Sequence, residues 1–348
     1  MKKRKNHGIK EIARLAGVSI GTVDRALHNR GRVSSKTKRM VEDIVRQIDY
    51  KPNLMARSLV INRKYTIALL IPQPLHDEYW IQAFKGAKGS ISKYEQQGLY
   101  FETFFYALSN KKSFEESALR ILNSDPDGVI MAPNFLQEGK SFYEKCREAS
   151  IPVIMFDTII PDTHPLCYIG IDSFQSGRVA AELLTMTADK NGKFAILHFD
   201  EEQVNSPHML EKERGFLSYL NEYCPGREYL VSVLNNKQHH YHDQLRRILR
   251  NEHISGIFVS TSKTYRIGLY LQKEQIKDTV LIGYDLTNRN TALLESGYIR
   301  FLINQNPMRQ AEESLNVFFN YLFFKVIYKS RLLFPIEIIT RSNLVSYI

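Results

Sequence analysis

The sequence predicts an N-terminal all-α helix-turn-helix domain followed by a larger two-lobed α/β domain with parallel sheets. Three observations predict it. The length of 348 residues suits about two domains. Charge is uneven: residues 1–65 hold 17 Lys and Arg against 5 Asp and Glu, a net of +12, while residues 66–348 hold 30 against 32, a net of −2. A basic segment on a near-neutral body suits a polyanionic partner. Finally, apolar spacing changes near Thr66, from the helical i, i+3, i+4, i+7 repeat to short continuous apolar runs between amphipathic stretches. The boundaries read as 1–51 for the helical domain, 52–65 for a hinge helix and linker, and 66–348 for the body.

The helical elements follow in order. Ile9, Ile12, Ala13 and Ala16 line one face of a first helix. Gly17-Val18 breaks it, glycine suiting the left-handed turn after a helix. Ser19 is placed to cap a second helix through Leu27, with Val23, Ala26 and Leu27 inward. Asn29-Arg30-Gly31-Arg32 reads as a loop. Ser34 caps a third helix whose apolar face is Val41, Ile44, Val45 and Ile48. Two short helices around a glycine turn, with a third closing the core, make a helix-turn-helix arrangement.

The run Ile9–Ser19 (IKEIARLAGVS) and the run Thr22–Leu27 (TVDRAL) resemble the lactose-repressor (LacI/GalR) family of bacterial regulators. Val33-Ser34, Lys36-Thr37, Tyr50-Lys51-Pro52-Asn53 and Ala56-Arg57-Ser58-Leu59 continue the match in register over the first 60 residues. The resemblance implies that the second helix enters the DNA major groove. Ile20, Gly21 and Arg25 then fall on base-reading positions, Arg25 being able to pair with guanine O6 and N7 and Ile20 to touch a thymine methyl. Ser19 and Thr22 would hold phosphates, which position without specifying. Residues 52–59 match the family's hinge helix: Asn53 can cap it, Ala56 allows close approach to the minor groove, and Leu59 corresponds to the wedge that unstacks a base step. Such a helix of about eight residues is too short to stand alone in water.

In the body, apolar strands are expected at 66–72, 100–106, 127–132 and 151–156, with helices at 79–97, 111–123 and 137–149. A second series begins near Tyr168, with helices at 175–188, 208–222, 241–251 and 264–274 and strands at 193–199, 228–234, 255–260, 279–284, 299–304 and 335–339. Repeated βα units with continuous apolar strands argue for parallel sheets covered on both faces, and two series argue for two lobes. Ligands bind such sheets beyond the strand C-termini. There the sequence places Asp77, Tyr79 and Trp80, then Asp157, Asp285 and Gln305, with Arg214 in a helix turn. Carboxylates, an arginine and flat rings suit a small polyol: charged groups take hydroxyls and rings cover the apolar faces of a sugar.

Most of residues 66–348 also resembles the periplasmic sugar-binding protein fold, closest to the ribose-binding type. Asp77-Glu78-Tyr79-Trp80, Lys85-Gly86-Ala87, Pro152–Asp157, Glu213–Phe216, Gly283-Tyr284-Asp285 and Gln305-Asn306-Pro307 fall on its segments. Ala132, Thr158 and Ser262 depart from the pattern, which puts ribose itself in doubt. The resemblance implies that a sugar-like effector controls operator affinity.

Other classes fit less well. The cysteines Cys146, Cys167 and Cys224 form no CxxC pair, and a reducing compartment suits them. The basic start at Met1–Lys5 leads into no apolar run, so export is not expected. Val317–Tyr328 is too short to span a bilayer and reads as a core helix. His239, His240 and His242 have no nearby cysteine or acidic cluster to complete a metal site and read as a solvated loop and helix start. Gly170–Gly177 lacks the ending of a phosphate-binding loop. No cofactor, metal or membrane partner is expected. The expected partners are double-stranded, near-palindromic operator DNA, a sugar or sugar derivative, and a second copy of the chain, in the cytoplasm at the nucleoid. No leucine heptads follow strand 335–339, which favours a dimer. A sugar-processing enzyme and a sequence-tolerant architectural DNA-binding protein stay open as alternatives.

Overall fold

The structure is a computed structural model. It describes residues 9–28, 33–48, 64–75, 77–199, 206–234 and 241–348. Two compact units form, Met1–Arg63 and Lys64–Ile348.

The first unit contains α1 (Ile9–Ala16), α2 (Ile20–His28) and α3 (Ser35–Gln47). Ile12, Ala13, Ala16, Val23, Ala26 and Val41 form its buried centre, as the apolar spacing requires. Gly17 ends α1 at φ 61°, and the Val18 N–H donates to the Ala13 carbonyl at 3.1 Å. A Cβ at Gly17 would meet nothing within 4 Å, so the left-handed backbone demands glycine here, not lack of space. Ser19 Oγ accepts from the Thr22 N–H at 3.1 Å, and Ser34 Oγ accepts from the Thr37 N–H at 3.1 Å. The hinge positions Asn53, Ala56 and Leu59 and the loop 29–32 lie outside the described residues.

The second unit holds two six-stranded sheets. The first contains β1 (Tyr65–Pro72), β2 (Leu99–Tyr106), β3 (Gly128–Met131), β4 (Val153–Phe156), β5 (Cys167–Gly170) and β11 (Arg331–Leu333), in the order β11-β5-β4-β3-β1-β2 and parallel throughout. The second contains β6 (Lys193–Phe199), β7 (Tyr229–Leu234), β8 (Ile254–Val259), β9 (Val280–Tyr284), β10 (Phe301–Asn304) and β12 (Glu337–Ile339), in the corresponding order β12-β10-β9-β8-β6-β7. Among the described residues, only β12 runs antiparallel to its neighbour. The central strands are buried on both faces, which is why they read as continuous apolar runs.

Helices α4 (Glu78–Glu95), α5 (Lys111–Asn123) and α6 (Leu136–Glu148) belong to the first lobe. Helices α7 (Ser173–Thr187), α8 (Pro207–Tyr223), α9 (Tyr241–Asn251), α10 (Thr264–Lys273) and α11 (Asn288–Glu295) belong to the second. The next helix, α12 (Pro307–Phe324), returns to the first: Ala311, Leu315, Val317 and Phe318 pack with Ile67 and Leu69 of β1. The lobes are therefore not two consecutive series. The chain crosses after β5, after β10 and after β11. The expected core helix at 317–328 stops at Phe324, where Lys325 adopts φ 54° and Ile327 beyond it is exposed. Among the described residues, no helix is long and apolar enough to cross a membrane.

Candidate functional site

Burying Val23 and Ala26 against α1 and α3 turns the opposite side of α2 to solvent. That side carries Ile20, which is 47% exposed, together with Gly21 and Arg25. The Arg25 guanidinium lies along its own helix, Nε donating to the Gly21 carbonyl at 3.1 Å. Ser19 Oγ and Thr22 Oγ1 are 2.9 Å apart at the start of α2. An exposed isoleucine among polar residues, beside a helix N-terminus and an arginine, forms a face able to meet base edges and phosphates.

In the second unit, Asp157 follows β4 and Asp285 follows β9, corresponding strands of the two sheets. Both residues adopt a left-handed backbone, φ 65° and 69°. Each main-chain N–H donates to the neighbouring parallel strand, Asp157 to the Ile169 carbonyl and Asp285 to the Ile303 carbonyl, both at 3.0 Å. Asp is among the residues that tolerate this conformation. The two carboxylates line one cavity of about 30 Å3, shared with Asp77, Tyr79, Trp80 and Gln305, and also with Leu108, Asn134, His208, Lys212, Thr261 and Ser262.

The two sides differ chemically. Asp157 accepts from the Tyr79 hydroxyl and, at 3.0 Å, from Thr158 Oγ1. Tyr79 stands edge-on to Trp80 with ring centres 4.9 Å apart, and Trp80 in turn meets Phe156 at 6.4 Å. Asp77 starts α4, its carboxylate accepting from the Tyr79 N–H at 3.0 Å. Burial pushes the Tyr79 hydroxyl well above its usual range, and the charge of Asp157 adds to this. Asp285 accepts from the Gln305 N–H at 3.1 Å and from Gln305 Nε2 at 2.8 Å. Lys212 Nζ donates to Gln305 Oε1 at 3.0 Å and to the Ser260 carbonyl at 3.2 Å, and stands 3.7 Å from the centre of the Tyr284 ring. Burial raises the Asp285 carboxyl to about 7, against the pull of Lys212 and Gln305. Burial, then the charges of Lys212 and His198, hold His208 well below its ordinary value.

The lobes stand closed. Gln82 Nε2 donates to the Leu286 carbonyl at 3.1 Å, the Asn288 N–H donates to Glu78 at 2.5 Å, and Thr158 Oγ1 meets His208 Nδ1 at 3.1 Å. A cavity of about 30 Å3 has room for one or two waters. A sugar can enter only when the lobes part.

A solved structure from Bacteroides fragilis, assigned to the LacI transcriptional regulators, superposes with a TM-score of 0.77 at 31% identity, covering 82% of this chain and 100% of that one. Residues 67–325 match the periplasmic binding protein domain, and residues 8–53 match the bacterial regulatory proteins of the lacI family. The chain belongs to the lacI family. It is a DNA-binding transcriptional regulator with a two-lobed periplasmic-binding-protein-like body. Among curated relatives, the sucrose operon repressor of Streptococcus mutans is 28% identical, over 80% of this chain and 82% of its own. The ribose operon repressor of Lactococcus lactis is 21% identical over 97% of both.

One expected cleft residue of this lacI-family chain lies outside the inner cavity, on a neighbouring one of about 400 Å3 that also holds Pro161, Asp172 and His208. Arg214 is 67% exposed at its side chain, paired with Glu211 at 2.8 Å and stacked over Phe174 at 5.3 Å. Lys212, two residues earlier, is buried in the cleft instead. Two residues turn a helix by about 200°, so only one of the pair can face inward. The phase of α8 is set by its close approach to α7: a Cβ on Gly215 would sit 1.9 Å from the Phe174 carbonyl oxygen. The segment 213–216 thus owes its glycine to helix packing, not ligand contact. Lys212 was legible as the cation within the buried stripe Met209, Lys212, Phe216 and Leu220. Asn134 and Thr261 follow strand ends and carried the same positional signal.

His198 bridges Ser260 Oγ at 2.8 Å and Glu213 at 2.7 Å. This acid–histidine–hydroxyl chain has the composition of a nucleophilic triad, but Ser260 is fully buried and does not line the cavity. It braces the segment whose carbonyl receives Lys212. His242 packs against the rings of Tyr241 and Tyr270, while His239 and His240 lie outside the described residues. Among the described residues no group of three metal-ligating side chains forms.

Proposed function

We propose that this lacI-family regulator is a homodimeric repressor whose grip on a near-palindromic operator is set by a sugar-like effector bound between the lobes. The observation that carries this reading is the convergence of Asp157 and Asp285, from corresponding strand ends, on one cavity walled by Tyr79 and Trp80. Hydroxyls find paired acceptors there, and rings cover apolar sugar faces. The names of the sucrose and ribose operon repressors support a sugar effector. Ile20, Gly21 and Arg25 read bases, Ser19 and Thr22 hold phosphates, and Asn53, Ala56 and Leu59 serve the hinge. Asp77, Tyr79, Trp80, Asp157, Asp285, Gln305 and Lys212 hold the effector. The regulator works in the cytoplasm, on the nucleoid, and performs no catalysis.

Only a ligand touching both lobes favours the closed form over the open one, and it shifts that equilibrium by no more than its difference in affinity. Thermal shift with a neutral and phosphorylated sugar panel finds the effector, since a bound ligand raises the melting point by mass action. Operator titration then tests the DNA half. The log–log salt slope is expected near −0.9 per neutralised phosphate. Arg25→Ala is expected to cost about 1–3 kcal/mol and to relax preference at one base pair per half-site. A salt-independent affinity, or a panel without a single hit, contradicts the reading.

A further inference from the structure

Beside the inner cavity lies a larger one of about 470 Å3, which shares Asp77, Leu108 and Ser262 with it. The two are therefore adjacent, with these three side chains between them. The outer cavity is lined from the second lobe by Lys263, Arg266 and Arg289, three cations within one space. Lys263 is 7% exposed and stands at the start of α10, whose first turn has no side-chain cap. The Arg266 guanidinium lies 4.9 Å from the centre of the Phe199 ring, and the Arg289 guanidinium 5.0 Å from that of Tyr265. Stacking on a ring holds a guanidinium plane in place, which lowers the entropy lost when it grips a planar or tetrahedral anion. The start of α10 adds main-chain N–H groups and the positive end of a helix dipole.

We propose that the effector is anionic: its hydroxylated part enters the inner cavity, and its phosphate or carboxylate rests on Lys263, Arg266 and Arg289 at the mouth. This rests on the sugar-effector reading and narrows it to sugar phosphates or sugar acids. Two acids, Asp77 and Glu78, share the mouth. Both serve backbone groups, Asp77 at the Tyr79 N–H and Glu78 at the Asn288 N–H. They repel a dianion that misses the arginines, so the site selects for placement as well as charge. An anion on these second-lobe cations, attached to a ring held by first-lobe Tyr79 and Trp80, also spans the two lobes and favours closure.

The test begins with inorganic phosphate as the probe on the full chain. Phosphate should raise the melting temperature more than chloride at equal ionic strength, and Arg266→Gln/Arg289→Gln should shrink that difference. The +12 N-terminal region is the same in both proteins, so its own phosphate binding cancels. Should the double variant melt early without phosphate, Arg289→Gln alone, at an exposed position, carries the comparison. Calorimetry then compares glucose, glucose 6-phosphate and glucuronate, and the matching galactose set. At least one anionic member should bind tenfold or more tightly than its neutral parent, with the arginine variant losing most of that preference. Phosphate and carboxylate members separate the two sources of the anion. Neutral sugars binding as tightly as anionic ones overturn this inference and leave the sugar reading standing. A phosphate response that needs the arginines, without any sugar binding, keeps the anion site and removes the sugar reading. Equal responses of parent and variant to phosphate overturn the site.

Discussion

The two strand-end aspartates occupy corresponding positions in corresponding sheets, share a left-handed backbone, and face the same cavity, yet their surroundings diverge. Around Asp157 stand the Tyr79 and Thr158 hydroxyls, and Gln310, whose Oε1 takes the Asp157 N–H at 2.9 Å. Around Asp285 stand Gln305 and the cation of Lys212. The first lobe offers rings and hydroxyls beside its carboxylates, and the second adds the buried cation. Topology repeats the backbone geometry of the site, while helix phase and side-chain choice split its chemistry, so the full complement exists only when the lobes close.

The largest test of this contrast is Lys212→Met. It removes the positive charge near Asp285, whose carboxyl then takes up a proton more readily, and strips Gln305 Oε1 and the Ser260 carbonyl of a charged donor, together costing about 3 kcal/mol of folding stability in denaturant titrations. A variant as stable as the parent would show that Asp285 does not depend on Lys212. Tyr79→Phe tests the first lobe. It removes one of the Asp157 donors and should cost about 1.5–3 kcal/mol in denaturant titrations.

Asp285→Asn keeps shape and backbone tolerance but removes the charge. Effector affinity should fall at least tenfold, about 1.4 kcal/mol, with effector-free operator binding within a few-fold. In cells the variant should stay repressed if the effector induces, and never repress if it corepresses. Its pH behaviour follows from the raised folded value of about 7 against an ordinary 3.8. Between these values the folded state binds the extra proton, so Asp285 adds stability as pH falls through that window. His208, held below its ordinary 6.5, acts oppositely, its contribution being lost as pH falls below 6.5. Removing Asp285 leaves the histidine trend unopposed, so acidification from pH 7 to 5 should lower the melting temperature more in the variant than in the parent. The smallest effect is expected from Arg214→Ala. Its side chain is largely exposed and lies outside the inner cavity, on the neighbouring one of about 400 Å3, so stability should move by about 0.5 kcal/mol or less and affinity for an effector held in the inner cavity should stay unchanged by calorimetry.

By itself the sequence determined the helix-turn-helix, because Ile12, Ala13, Val23 and Val41 sit at helical spacing and Gly17, Ser19 and Ser34 mark its turns and caps locally. It determined the βα alternation, since buried parallel strands must be continuous apolar runs, and it pointed to Asp157 and Asp285 because strand ends are where such sheets bind ligands. Tertiary structure decided the rest. An amphipathic stripe says that α12 covers a sheet but not which one, and only the packed chain returns it to β1. Strands of three residues, such as β11, carry too little pattern to be read before their neighbours pair with them. The choice of Lys212 over Arg214 depended on the rotation of α8, set by the backbone contact at Gly215, a contact between residues far apart in sequence that no local spacing records.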